Sequence, residues 1–174
     1  MAVNFNFRQA ETIKDFDRLR LALLEQPLNY RGYLPWVGRA MDEVFSGYKE
    51  AMLAFYDNYL IGYLLSQPSK TTKGFREMKS ARVLEEFQRR LVLSFMMRWE
   101  EVEAKKAGNL AMICDTRLYD VANLLRCNGY REIARADLYH EGFEDIVFAK
   151  PLVSLTQNSK ASLLFMPNGL SRVA

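Results

Sequence analysis

The sequence predicts an α/β fold: a mixed, mostly antiparallel sheet flanked by helices on both faces, in the order β-α-α-β-β-β-α-β-α-β-β. Three observations carry this expectation. Residues 3–8 alternate Val3, Phe5 and Phe7 with Asn4, Asn6 and Arg8, the period of a half-buried strand. Two apolar, aromatic-rich runs, 51–56 and 59–65, are separated by Asp57-Asn58, a pair that tolerates positive φ and marks a tight hairpin. A strand over 75–84 then runs through a basic turn into a long amphipathic helix, with Val92, Phe95, Met96, Trp99 and Val102 at spacings of three and four.

The other elements follow in order. Thr12 caps a first helix whose apolar positions are Ile13, Phe16, Leu19 and Leu23, with Asp15 in the first turn, where negative charge is favoured. A second helix starts near Pro35 and carries Val37, Met41, Val44, Phe45 and Tyr48 on one face. Residues 67–73 form a polar loop. Glu101 and Lys105 make a surface pair on the long helix, which Gly108 ends. A buried central strand occupies 109–115, a helix 116–127 stops at Asn128-Gly129, and 130–139 with 145–150 form a last hairpin through His140-Glu141-Gly142.

The 174 residues suit one domain over 1–152 with an extension over 153–174. In that extension Leu163-Leu164-Phe165-Met166 serves as an extra strand, a contact in a homodimer, or part of a disordered terminus. A net charge of +3, spread along the chain, is too small for a nucleic-acid binder. Charged residues fill the first twenty positions and no run of about 18 apolar residues follows, so the expectation is a cytoplasmic protein with no membrane segment. Two unclustered cysteines and one histidine leave no structural metal site. Cys114 is expected to be a small buried residue.

A strand-to-helix junction aims backbone N–H groups and the positive end of a helix dipole at one spot, which suits a phosphate. At this junction Gln88, Arg89, Arg90, Leu91, Val92 and Leu93 resemble the coenzyme-binding centre of the GNAT acyltransferases, with leucine at both positions where that family has a small residue. Ile61-Gly62-Tyr63, Asn128-Gly129-Tyr130, and Asp137-Leu138-Tyr139 with Gly142 and Glu144-Asp145-Ile146 extend the resemblance over roughly residues 3–152. It implies a GNAT-type sheet and acetyl-CoA or another acyl-CoA as donor. The coenzyme would be held by Arg82, Val83 and Leu84 through backbone groups and by the turn from Gln88 to Ser94, including Val92. The acceptor side would be lined by Tyr30, Tyr33 and Trp36.

For catalysis, Gly74-Phe75-Arg76-Glu77, with Val83 six residues on, resembles the histone-acetyltransferase strand, which makes Glu77 the general base. The family's acidic Tyr falls on Leu125 and a helpful Asn on Leu118. Tyr119, Tyr130 and Tyr139 are the substitutes, with Tyr119 taken as the acid. The implied activity is transfer of an acyl group to a primary amine of a small molecule or peptide, without a metal. Two alternatives stand beside it: a GNAT-fold binding or regulatory module without catalysis, and an acyltransferase fed by an acyl carrier protein.

Overall fold

The computed structural model describes residues 4–25, 27 and 32–153. Tyr30 and the Leu163–Met166 segment lie outside that set. Among the described residues the elements are β1 (Phe5–Gln9), α1 (Ile13–Glu25), α2 (Tyr33–Phe45), β2 (Glu50–Tyr56), β3 (Tyr59–Pro68), β4 (Phe75–Val83), α3 (Val92–Lys106), β5 (Ala111–Thr116), α4 (Tyr119–Cys127), β6 (Arg131–Ala136) and β7 (Asp145–Pro151). A single 3₁₀ turn, Glu85–Phe87, is an addition to the expected order. The strands form one sheet in the order β1-β2-β3-β4-β5-β7-β6, with β4 and β5 parallel and β1–β2, β2–β3, β5–β7 and β6–β7 antiparallel. No helix of the described residues is long and apolar enough to cross a membrane. By internal contacts the chain forms two compact units: one up to Pro68 plus Ser80–Glu100, the other Ser69–Lys79 plus the chain from Glu101.

In the first unit the Asp57-Asn58 turn takes φ of 45° and 69°, the double left-handed geometry that matches strand twist. Thr12 caps α1 as expected: its hydroxyl accepts the Asp15 N–H at 3.2 Å, and the Asp15 carboxylate accepts the Thr12 N–H at 3.1 Å. Arg8, from β1, closes two further bonds of 2.6 Å onto the same carboxylate and holds it well below the usual carboxylate range. The core joins Leu19 and Leu23 of α1, Tyr33, Val37 and Val44 of α2, and Leu53, Phe55, Tyr63 and Leu65 of the β2–β3 hairpin.

Three local expectations are corrected here. Helix α2 begins at Tyr33, two residues before Pro35, and buries Tyr33, Val37, Ala40 and Val44, leaving Phe45 and Tyr48 exposed. A four-three-four spacing lets the small Ala40 complete the stripe. Strand β3 runs on to Pro68, so Gln67, assigned to a polar loop, and Ser66 just before it are buried strand residues. The Ser66 hydroxyl donates to the buried Glu100 carboxylate of α3, which accounts for polar residues inside. Helix α3 buries Val92, Met96, Met97, Glu100 and Ala104, while Phe95, Trp99 and Val102 stand at the surface. The apolar positions fit two stripes one residue apart, and the flexible methionines take the inner one. Phe95 keeps an aromatic contact with Phe7 at 5.9 Å.

The second unit is built on the parallel ladder that pairs Phe75–Met78 with Ala111–Cys114. Leu110 N–H donates to Gly74 O at 2.7 Å, and Leu152 N–H to Leu110 O at 2.9 Å, so β4, β5 and the end of β7 are tied together. Gly108 ends α3 at φ 81°, as expected. Glu101 does not serve Lys105; its carboxylate, largely out of water, accepts the Lys150 ammonium at 2.6 Å. Helix α4 starts at Tyr119 rather than 116, because the Thr116 hydroxyl accepts the Leu118 N–H at 3.0 Å and turns the chain first. Strand β6 stops at Ala136, where Asp137 accepts the Glu141 and Gly142 N–H groups at 3.0 and 2.7 Å and folds the hairpin loop.

Candidate active site

The turn that enters α3 has an unusual backbone. Arg89 and Leu91 take φ of 60° and 63°, with Arg90 between them outside that region. Left-handed geometry at a branched residue is costly, and alternating handedness turns successive N–H groups toward one side, forming an anion-binding concavity. The Phe95 N–H donates to Leu91 O at 2.9 Å, so the Leu91 carbonyl takes the first bond of the helix, and Val92 and Leu93 open the first turn. That turn carries no acidic residue, and Lys105 and Lys106 sit in the last turn. Charge therefore complements the dipole at the C-terminal end and leaves its positive end available to an anion.

The side chains around the turn divide their roles. Leu91 is 66% exposed and points away from the core. Arg89 is exposed, and Arg90 lies over the Phe87 ring at 5.6 Å. Gln88 bends back so that its amide donates to Val83 O at 3.0 Å, while Leu84 N–H donates to Ile61 O at 2.8 Å. Two of the backbone groups at Val83 and Leu84 are thus already engaged. Gly62 lies beneath them: a β-carbon there would stand 2.8 Å from Arg82 O and 3.3 Å from a Val83 methyl. The glycine in Ile61-Gly62-Tyr63 is required by this close approach. A water-sized cavity of about 10 Å³ lies among Ala22, Leu60, Gly62, Tyr63, Arg82 and Leu84.

Of the aromatic residues expected to line an acceptor, Tyr33 is a core residue whose hydroxyl donates to Leu23 O at 2.8 Å, and its ring stacks on Trp36 at 5.6 Å.

The second unit holds the carboxylates. Glu77 is buried on β4, accepting the Ser69 hydroxyl at 2.7 Å and pairing with Lys79, its neighbour on the same strand face, at 3.0 Å. Asp115, near the end of β5, accepts the Tyr139 hydroxyl at 2.8 Å. Burial pushes the Asp115 carboxyl above its ordinary range, reinforced by the charges of Asp145 and Glu77 and opposed by Tyr139 and Lys79. Burial also drives the Cys114 thiol well above its usual range, so it is no nucleophile. Tyr119 is 74% exposed on the first turn of α4, Tyr130 is buried, and Leu125, which the resemblance puts where the family has a Tyr, is buried.

Neither a family model nor a curated protein sequence matches the chain. Solved structures do. A candidate acetyltransferase of the GNAT family from Desulfovibrio desulfuricans superposes with a TM-score of 0.74 at 14% identity, over 86% of this chain and 100% of its own. The chain has the GNAT fold. An aminoglycoside 6′-N-acetyltransferase complexed with coenzyme A matches this GNAT-fold chain at TM-score 0.70 and 16% identity, over 87% of this chain and 99% of its own. The ribosomal-protein-S18-alanine N-acetyltransferase of Escherichia coli matches at 0.65 and 13%, over 90% and 99%.

The sequence points to the turn and Glu77 as candidates and does not point to Asp115 or Arg117. Arg117 donates to Asp145 at 2.7 Å and to Glu141 at 2.6 Å, and its guanidinium lies over the rings of Tyr139 and Phe143 at 5.4 and 5.8 Å. The signal available was Asp115-Thr116-Arg117, polar residues closing an otherwise apolar strand.

Proposed function

We propose that this GNAT-fold chain is an N-acyltransferase that moves an acetyl or longer acyl group from an acyl-CoA to a primary amine by direct attack. The observation that supports it most is the backbone of the turn into α3. Arg89 and Leu91 keep the left-handed geometry of a phosphate cradle although neither is glycine, a strain of about 1–2 kcal/mol each that a plain helix start has no reason to hold. On this reading the first-turn N–H groups of α3 and the Arg89 guanidinium meet the coenzyme pyrophosphate, with Gln88, Arg90, Leu91, Val92, Leu93 and Ser94 shaping the cradle. Strand backbone at Arg82–Leu84 guides the pantetheine arm. The coenzyme A complex of the aminoglycoside acetyltransferase supports the donor class, and its acceptor supports an amine.

The chemistry needs a group that takes a proton from the acceptor ammonium and an oxyanion donor at the thioester. Glu77 is the base to which the sequence points, Tyr119 the acid, and Trp36 with Tyr33 behind it the acceptor side. The donor class is tested by thermal melting with acetyl-, octanoyl- and palmitoyl-CoA. A ligand at a hundred times its Kd stabilises the folded state by about 2.7 kcal/mol. No shift with any acyl-CoA overturns the transferase and leaves a GNAT-fold binding module.

A further inference from the structure

The cavity between α1 and the β3–β4 strands of the first unit is walled by two polar side chains that the fold leaves unused. Its side chains are apolar at Ala22, Leu60, Ile61 and Leu84, and polar only at Tyr63 and Arg82. Tyr63 is 1% exposed, and among the described residues no group completes a hydrogen bond to its hydroxyl. Ser80, Tyr33 and Arg82 stand close enough to act on that hydroxyl. Burial pushes its pKa up, so it keeps its proton and remains a donor. Arg82 is half-buried and forms no ion pair among the described residues. A buried hydroxyl without a partner costs free energy, and a half-buried guanidinium without a counter-charge does too, so both point to a partner from outside the chain. The cavity, about 10 Å³, admits a group the size of one water. A water would leave the guanidinium charge uncompensated. A carboxylate oxygen accepts from both groups, and its twin meets the rest of the guanidinium fork, whereas a tetrahedral phosphate is too bulky for the space.

We propose that Tyr63 and Arg82 hold the carboxylate of the acceptor, so that the amine acylated belongs to an amino acid. The acceptor role rests on the acyltransferase reading above; the anion site stands on its own geometry. Two contacts tie the site to that reading. Tyr33, on the acceptor side with Trp36 stacked on its ring, adjoins the Tyr63 hydroxyl. Arg82 opens the Arg82–Leu84 stretch assigned to the pantetheine arm, which the Gln88 bond to Val83 O joins to the turn before α3. Every one of these residues belongs to the first unit. Anchoring the carboxylate fixes one end of a small acceptor and so orients its amine.

Binding and turnover on the full chain test this. Acetate, the smallest carboxylate probe, should shift the NMR signals of the Tyr63 phenol carbon and the Arg82 guanidinium along one saturating curve, and chloride at equal ionic strength should not. Tyr63→Phe should melt at or above the wild type, since the lost hydroxyl had no partner, and should weaken acetate about tenfold. In thiol release from acetyl-CoA, at least one of L-tyrosine, L-lysine and β-alanine should exceed its counterpart without a carboxylate, tyramine, cadaverine or ethylamine, by about tenfold in kcat/KM, and Arg82→Gln should bring that ratio toward one. An acetate response no larger than that of chloride overturns the anion site, as does a Tyr63→Phe protein that melts lower and keeps its acetate affinity. Simple amines that match or exceed their carboxylate partners in every pair overturn the acceptor role. A preference for succinyl-CoA over acetyl-CoA with the simple amines overturns it too, by assigning the carboxylate to the acyl group. Failure of the wild type to bind acetyl-CoA sinks acyl transfer and the acceptor role with it, while the acetate titration, which needs no coenzyme, still decides the anion site.

Discussion

Arg89 and Leu91 share a left-handed backbone, at φ 60° and 63°, two positions apart in the turn that enters α3. Neither residue gains intrinsically from that geometry, and glycine is the residue that adopts it freely. The turn holds this geometry with a leucine at a position where the resembled family has a small residue. Leu91 does not pack inward: its side chain is exposed and stands where its bulk can limit approach to the backbone of the turn.

Leu91→Gly should consequently stabilise the protein by up to about 1 kcal/mol, because relief of the left-handed strain outweighs glycine's extra unfolded-state entropy. Helix-propensity arguments give the opposite sign, but Leu91 precedes α3 and lies outside its interior. The same change should tighten acetyl-CoA binding by opening the approach to the backbone. Thermal melting and calorimetry on Leu91→Gly and Leu91→Ala check this: Ala, which cannot relax the φ but removes most of the bulk, should show part of the affinity gain and no stability gain.

The element order and the hairpin turn were legible because both are local: alternation, Asp57-Asn58 and Gly108 report on their own backbone. The inner face of α3 was not, since Phe95 and Met96 satisfy the same spacing and tertiary contacts decide between them. The extra length of β3 was hidden for a similar reason. Gln67 reads as loop and Ser66 as the end of the strand's apolar run, until Glu100, far along the chain, supplies the partner that makes a buried hydroxyl tolerable. Asp115 was invisible as a candidate site because its proton affinity depends on Glu77, Lys79, Tyr139 and Asp145, four positions distributed over 69 residues of sequence.

The Arg8–Asp15 pair makes a pH prediction. The folded Asp15 carboxyl holds its proton more weakly than an unfolded one, which titrates near 3.9, so its contribution is fully present above about pH 5 and is lost as the pH falls below about 4. Asp15→Asn should cost about 2 kcal/mol at pH 7, from the lost charged hydrogen bonds and the weakened cap, and progressively less in acid. Urea unfolding of both proteins at pH 7 and pH 3 measures the difference.

Gly62→Ala should be among the more damaging single-methyl additions in the chain. The new carbon meets Arg82 O at 2.8 Å, and both contacting segments are strand backbone with little room to yield. A cost of about 2 kcal/mol is expected, together with weaker acetyl-CoA binding if Arg82–Leu84 guide the coenzyme. A fully stable variant with normal affinity would show that β3 and β4 can separate there without consequence.

Glu77→Gln separates the two carboxylates of the second unit. Glu77 lends its negative charge to the surroundings of Asp115, raising that group's proton affinity, and it also balances Lys79. Removing the charge leaves Lys79 acting on Asp115 alone, and both changes favour the Asp115 anion. Glutamine still offers an oxygen to the Ser69 hydroxyl, so the fold should hold. With Glu77 as the base, the expected outcome is unchanged acetyl-CoA affinity, a turnover lowered about 100-fold and an acidic limb that is gone. A rate within a few-fold of wild type with the limb still present would give the proton to another group and leave Glu77 as a charge beside Asp115.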